Sequence, residues 1–378
     1  MVLSLKPAGA ACNMHCAYCY YLEKSKTLHG ASGRLMDTET LETAIRQYAE
    51  VMPADSDLQF LWHGGEPLLA PLDFYRKALE LQGKYARGHR VTNSIQTNGT
   101  LIDEATADFL AENNWLTGIS IDGTASMHDA NRHFRDGSVT FDATMKAIGM
   151  LNSRGAQWNA MATVNNANAE DPEGFYDFFR EIGARYIQFS PVVERRRDNG
   201  FLASATESGL LTAESVTPRQ WGDFLCRLFD RWVRADVGRV FVQIFEATLA
   251  GTLGAFPGVC IFAPVCGGSP VVEANGDVYC CDHFAFDRYR LGNIHTTPLG
   301  EILAGEALER FGDAKATDLP AECRRCRYVA LCNGECPRNR FGIGGTNYLC
   351  EGYKQYFAHT RRFMENARRQ ILASQRRF

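Results

Sequence analysis

The sequence predicts an α/β protein: a parallel sheet covered by helices, either a partial barrel or a doubly wound sheet, with a cysteine-rich region after it. Three observations lead there. Six β-then-α repeats occupy the chain from residue 1 to about 250. Glycines and polar residues gather just after the strand-like runs, at the carboxyl ends where both architectures bind ligands. Cysteines are unevenly spread, with three by residue 19, one at Cys226 and nine between 260 and 350.

The first strand lies near Val2–Lys6. Further β-rich runs follow at Leu58–Trp62, Ser94–Thr97, Leu116–Ile121, Asn159–Val164 and Tyr186–Phe189. Stretches of helical period separate them: Thr38–Val51, Leu72–Tyr85, Asp103–Asn113, Phe141–Arg154 and Pro172–Ile182. Residues 217–237 read as a long amphipathic helix whose stripe is Trp221, Phe224, Leu225, Leu228, Phe229 and Trp232, with Cys226 as a structural thiol. Val240–Phe245 is strand-like again.

Length allows two domains, or one barrel with an appendage: 378 residues, 45% hydrophobic and 22% charged, as in an ordinary globular enzyme. A net charge of −4 argues against nucleic acid as a partner. No apolar run reaches membrane-spanning length and no signal peptide opens the chain, so the expectation is a cytoplasmic protein without a membrane partner. In that compartment thirteen cysteines point to metal ligation rather than disulfides.

The N-terminal cysteines form Cys12-Asn13-Met14-His15-Cys16-Ala17-Tyr18-Cys19. A loop this short can fold three thiolates around one metal centre. Structural zinc and an ordinary cubane cluster each want four ligands, so three leave one metal corner for a small molecule. Tyr18 offers a flat face beside that corner. The bland alternative is a zinc loop that borrows a distant fourth ligand.

His63-Gly64-Gly65-Glu66-Pro67 follows the second strand, and its glycines let backbone approach a ligand closely. Gln96-Thr97-Asn98-Gly99-Thr100 reads as a plain Asn-Gly turn. Ser120-Ile121-Asp122-Gly123 ends the next strand with groups suited to ribose hydroxyls, and Arg132 just beyond carries a guanidinium suited to a carboxylate. Glu194-Arg195-Arg196-Arg197-Asp198 is a solvated charge run.

In the C-terminal field, Cys260 and Cys266 precede Asn275-Gly276-Asp277 and Cys280-Cys281-Asp282-His283. Cys323-x2-Cys326-x5-Cys332-x3-Cys336 and Cys350 complete it. Such spacing is a strong metal signal that does not separate zinc from iron–sulfur. Setting aside the N-terminal trio, Cys226 and one of Cys280/Cys281 leaves eight thiols, enough for two closed four-ligand sites whose membership spacing leaves open.

The x3-x2 spacing with an aromatic before the last cysteine resembles the radical S-adenosylmethionine enzymes. The second field resembles a SPASM domain. The whole chain resembles the anaerobic sulfatase-maturating enzymes, through Lys6-Pro7, Trp62-His63-Gly64-Gly65-Glu66, Gln96 to Thr100, Ser120 to Gly123, Asp277-Val278-Tyr279, Cys281-Asp282-His283 and Cys332-Asn333-Gly334-Glu335-Cys336-Pro337.

That resemblance implies a partial (β/α)6 barrel over 1–235, a linker and SPASM auxiliary-cluster domain over 236–352, and a C-terminal helix over 353–378. It implies S-adenosyl-L-methionine and three [4Fe-4S] clusters: one on Cys12, Cys16 and Cys19, one on Cys260, Cys266, Cys281 and Cys336, and one on Cys323, Cys326, Cys332 and Cys350. Tyr18, Gly65, Ser120, Arg132 and Val193 become cofactor contacts, Gly65 at the methionine amino group. Cys280 departs from the pattern as an extra thiol beside Cys281.

The implied reaction converts a cysteine or serine in a Cys/Ser-x-Pro-x-Arg stretch of an unfolded sulfatase to Cα-formylglycine. A 5′-deoxyadenosyl radical takes the Cβ hydrogen, and Asp282 accepts the proton that leaves with the second electron. An Asp near its ordinary pKa of about 3.9 is a feeble base, so the site is expected to raise it by desolvation or anionic neighbours. A flavodoxin or ferredoxin is the implied one-electron donor, and an auxiliary cluster a destination for the second electron. The rivals are a SPASM maturase forming thioether or carbon–carbon crosslinks and a non-catalytic metal scaffold. With few residues before Lys6 and a single helical tail, no leader-recognition domain is expected.

Overall fold

Side-chain caps start the helices where the sequence changes period. Asp37 accepts the Thr40 N–H at 2.8 Å ahead of α1 (Thr38–Val51), and Asp103 accepts the Thr106 N–H at 2.8 Å ahead of a later helix (Glu104–Glu112). The computed structural model describes residues 1–22, 24, 34–203 and 207–375. Strands β1 (Val2–Leu5), β2 (Asp57–Trp62), β3 (Arg90–Thr97), β4 (Leu116–Ser120), β5 (Trp158–Val164) and β6 (Tyr186–Pro191) alternate with α1, α2 (Leu72–Tyr85), α3 (Glu104–Glu112), α4 (Phe141–Ser153) and α5 (Pro172–Glu181). The α/β class is therefore as expected. Strand β3 extends well before Ser94 because Arg90, polar and exposed, pairs with Asp57 on the neighbouring strand at 3.0 Å.

Two compact units interleave in sequence. The first comprises 1–121, 131–159 and 267–312; the second comprises 122–130, 160–266 and 313–378. In the first, β1 to β4 pair in parallel, and β1 also pairs in parallel with β7 (Val271–Val272). Antiparallel β8 (Asp277–Tyr279) and β9 (Arg290–Asn293) follow outward. The register Leu5↔Trp62 and Leu5↔Val272 sets the ends of β1, β2 and β7 level. Trp62, fully buried, anchors the core: its ring stacks on Trp115 at 5.8 Å and meets Tyr75 edge-on at 5.8 Å, while its N–H donates to Asn93 at 2.9 Å.

In the second unit β5 and β6 pair in parallel, and β6 pairs with a short strand at Phe241–Val242. Helix α6 (Pro218–Ala235) opens on a capping box between Thr217 and Gln220. Its whole expected stripe, Trp221 to Trp232, is buried, and Cys226 is buried with it. The expected strand Val240–Phe245 survives only as Phe241–Val242, and α7 (Gln243–Thr252) follows. Ile244, Phe245, Ala247 and Thr248 recur at helical spacing, and Phe245 packs on Phe229 and Trp232 at 5.2 and 5.1 Å. Helix α8 (Cys350–Gln375) lies along α6, with Trp221 against Tyr353 and Phe229 against Phe363. The last three residues of the expected C-terminal helix lie outside the described residues. No helix among the described residues is long and apolar enough to cross a membrane.

Replacing Trp62 with alanine should lower unfolding free energy by about 3–5 kcal/mol in denaturant titrations, because it opens a cavity among packed rings. Alanine at Phe256, which is 72% exposed, should change it by no more than about 0.5 kcal/mol.

Candidate functional site

The cysteine loop is held by backbone from two directions within the first unit. His15 N–H donates to the His133 carbonyl at 2.8 Å and Ala17 N–H to the Asn131 carbonyl at 2.9 Å. Arg135 Nε reaches the Cys12 carbonyl at 2.8 Å. On the other side, Gly65 N–H donates to the Gly9 carbonyl at 2.9 Å and Glu66 N–H to the Ala11 carbonyl at 2.8 Å. A Cβ on Gly65 would collide with the carbonyls of Ala10 and Ala11, and Gly64 adopts a φ of +134° against the Gly9 carbonyl. The glycine pair is thus required first by the chain's own loop. With its N–H engaged, Gly65 has its carbonyl to offer a ligand.

The Gln96–Thr100 turn does more than reverse the chain. Asn98 Nδ2 donates to Asn13 Oδ1 at 2.9 Å and approaches the Cys12 sulfur at 3.9 Å, and Asn13 Nδ2 donates to Thr100 at 2.8 Å. Met14 N–H points at the same sulfur at 3.3 Å. Donors aimed at sulfur suit a thiolate ligand. Burial pushes the Cys12 and Cys19 thiols up to about 11, so ionisation there has to be driven by a bound cation. The donor set fits the three-thiolate cluster site implied by the sequence.

Beside it, the Arg132 guanidinium lies 5.6 Å from the Tyr18 ring, and Arg132 is buried. Those two expected cofactor contacts are brought together. Ser120 ends β4 with its hydroxyl accepting from Gln96 Nε2 at 3.0 Å. Asp122 is committed elsewhere, accepting the Thr163 N–H at 2.8 Å within the second unit. Val193 is buried in the second unit, two residues beyond β6.

Asp282 sits in a dense polar cage. Its carboxylate meets Lys6 Nζ at 2.7 Å and Lys24 Nζ at 3.8 Å, and accepts from the hydroxyls of Tyr21, at 2.7 Å, and Tyr20. Lys24 also donates to the Asp282 carbonyl. Lys6 is wholly buried and bonds Glu273 at 2.8 Å. The expectation of a raised Asp282 pKa is overturned. Burial does push it up, but the charges of Lys6 and Lys24, then His63 and His283, outweigh burial and hold the carboxyl well below its ordinary range.

His63 Nδ1 stands 3.3 Å from the Tyr21 hydroxyl, which gives its own proton to Asp282. Nε2 of His63 is out of contact with solvent and has no hydrogen-bond partner among the described residues. Tyr20, Tyr21, Lys24 and Glu273 were not singled out by sequence reading, and Lys6 and His63 entered only within the Lys6-Pro7 and His63-Gly64-Gly65-Glu66-Pro67 motifs, without a role at Asp282. The one available signal was Lys6, a lysine closing an otherwise apolar strand.

In the second cysteine field, Cys280 is buried with its thiol turned onto the Tyr289 carbonyl at 3.5 Å, which leaves Cys281 as the partly exposed member of the pair. Cys281 lies in the first unit. In the second unit, Cys260, Cys266 and Cys336 gather about Lys315, a buried ammonium that donates to the carbonyls of Cys260 and Ile261 at 2.6 and 2.8 Å. Burial pushes Glu335 up to about 7, against the lowering pull of the Cys336 N–H and the Lys315 ammonium. Cys323, Cys326, Cys332 and Cys350 all line one cavity, walled by Val329, Tyr353 and Phe357. Tyr328 N–H points at the Cys326 sulfur at 3.4 Å. Four thiols around an apolar cavity fit a closed cluster.

Residues 7–179 match the Radical SAM superfamily, and residues 264–327 match SPASM, an iron–sulfur cluster-binding domain. A serine-type anaerobic sulfatase-maturating enzyme of Bacteroides thetaiotaomicron is 48% identical over 99% of this chain and 93% of its own length. A cysteine-type enzyme of Clostridium perfringens is 31% identical over 94% of this chain and 95% of its own. The solved structure of native anSMEcpe with bound AdoMet and Cp18Cys peptide superposes with a TM-score of 0.86 at 31% identity, covering 98% of this chain and all of that one.

Burial holds the His63 imidazole down to about 4, whereas the unfolded chain protonates it near 6.5. The stability this neutral ring contributes is complete above pH 6.5 and drains as pH falls toward 4, by at most about 3 kcal/mol. Urea midpoints of cluster-free protein from pH 7 to 4 should therefore fall more steeply for the wild type than for His63→Gln. Parallel curves would refute the assignment.

Proposed function

Because this chain belongs to the anaerobic sulfatase-maturating enzymes of the radical S-adenosylmethionine superfamily, we propose that it oxidises a serine or cysteine in a Ser/Cys-x-Pro-x-Arg stretch of an unfolded sulfatase to Cα-formylglycine. The observation that carries the reading is the Asp282 cage lying in one unit with the three-cysteine loop. The relative of higher identity is named serine-type, which supports serine as the residue oxidised.

When bound, S-adenosylmethionine and its cluster supply a carbon-centred oxidant that removes a hydrogen atom from the substrate Cβ. The chain's own groups do the rest. Cys12, Cys16 and Cys19 would hold the cluster, and Tyr18, Gly65, Ser120 and Arg132, in the same unit, would line the cofactor. Asp282 takes the proton from the substrate heteroatom. Lysines make it a weak base, so the proton must come from a group acidified by the reaction, and a carbon radical bearing O–H or S–H is such a group. Tyr20 and Tyr21 fix both carboxylate oxygens, and Lys6 keeps the carboxylate in place. Residues 1–235 would carry the cofactor chemistry, 236–352 Asp282 and the auxiliary clusters, and 353–378 the closing helix. A flavodoxin or ferredoxin supplies electrons, in the cytoplasm, where thiols stay reduced.

Reconstituted protein, S-adenosylmethionine and a low-potential reductant should convert a Ser-x-Pro-x-Arg peptide to the formylglycine product, seen by mass spectrometry. A crosslinked product, or no deoxyadenosine at all, would overturn the reading. Asp282→Asn should lower formylglycine formation by roughly 10²–10⁴-fold while deoxyadenosine continues to form.

Three [4Fe-4S] clusters predict roughly twelve irons per chain, of which alanine at Cys12, Cys16 and Cys19, or at Cys323, Cys326 and Cys332, should each remove roughly four. Unchanged iron in either triple variant would remove that site from the scheme.

A further inference from the structure

A shallow surface groove in the second unit is lined by Thr217, Arg219, Arg327, Tyr328, Lys354 and Gln355. Two of these residues, Tyr328 and Lys354, also line the cavity that holds Cys323, Cys326, Cys332 and Cys350. One layer of side chains therefore separates the groove from a four-thiol site.

The groove is basic. Ligand cysteines and arginines interleave in Cys323-Arg324-Arg325-Cys326-Arg327, and the three arginines are exposed. Arg327 leans on Tyr328, its guanidinium 5.1 Å from the ring. The Arg219 side chain is 91% exposed and reaches Asp223 only at 3.5 Å. Lys354 is shared between Glu322 and Glu351 at 2.9 and 2.8 Å. Among the residues that line the groove, Arg219, Arg327 and Lys354 thus outnumber the one carboxylate, Glu351, on a chain whose net charge is −4.

Positive charge on an acidic chain, one side chain away from a metal site, selects its partner by chemistry. Redox encounters use small, wet interfaces steered by opposite charge, because the complex must form quickly and part again. We propose that this groove docks a small acidic one-electron carrier of the flavodoxin or ferredoxin class over the second four-cysteine site; the proposal rests on the function given above. Formylglycine formation releases one substrate electron beyond the hydrogen atom taken by the oxidant. The carrier's oxidised form gains that electron, the substrate's proton goes to Asp282, and no bond is made or broken at the groove.

The test is surface plasmon resonance with cluster-loaded protein and an oxidised acidic flavodoxin, under anaerobic conditions. Binding should weaken steeply with added salt and by about tenfold or more in Arg219→Glu/Arg327→Glu, while Arg327→Lys keeps it. Peptide oxidation driven by dithionite, which needs no docking surface, should be unchanged in the double variant, and so should its iron content. If the double variant loses iron, Arg219→Glu alone, remote in sequence from the cysteines, is read in its place. Wild-type affinity in the charge-reversed protein, or binding indifferent to salt, overturns the proposal. Failure of dithionite-driven turnover in the wild type would instead overturn the function on which it rests.

Discussion

A fully buried ammonium holds the first unit together. Lys6, at the end of β1, has no contact with solvent and is bonded to Glu273 at 2.8 Å and Asp282 at 2.7 Å. An unpaired charge in such a place would cost several kcal/mol, so these residues must find one another for the unit to close. β1 leads straight into the cysteine loop, and Asp282 follows Cys281. One ionic cluster therefore seats the three-cysteine loop and Asp282 together, although Lys6 and Asp282 stand 276 positions apart.

The same cluster tunes the chemistry. Two lysines beside Asp282 keep it an anion and a rigid hydrogen-bond acceptor for Tyr20 and Tyr21. A carboxylate so held is ready at any working pH but weakly basic. It suits a step in which the substrate becomes acidic only after losing a hydrogen atom, and it would serve poorly for deprotonating a resting serine. In the second unit Lys315 has a parallel place, a buried ammonium among Cys260, Cys266 and Cys336, where thiolates would bring negative charge.

Much of this was legible along the chain. Helices α1 and α2 lie where apolar period put them, with Asp37 capping α1, and the α6 stripe is buried throughout, because 3.6-residue periodicity is a local property. Two segments were misread. The run from Glu194 to Asp198, expected to be solvated, buries Glu194 against Arg338 and Arg195 over the Phe341 ring, because each charge finds a partner across the fold. The other is Val240–Phe245. Its apolar run suits a strand and a buried helix equally, and packing against Phe229 and Trp232 decided for the helix after Val242. Asn98 and Thr100 looked like a plain turn, because nothing in a turn announces that it grips a loop more than eighty residues away.

By itself the sequence determined the α/β repeats, the two cysteine fields and the family, since each rests on residue types at short spacing. Tertiary structure alone decided the state of Asp282. Sequence reasoning expected burial to raise its pKa, whereas the fold brings Lys6 and Lys24 to within 2.7 and 3.8 Å, and the attraction of charge at that range outweighs desolvation. Pairing between residues hundreds of positions apart leaves no trace in periodicity, and electrostatics depends on distance in space rather than along the chain.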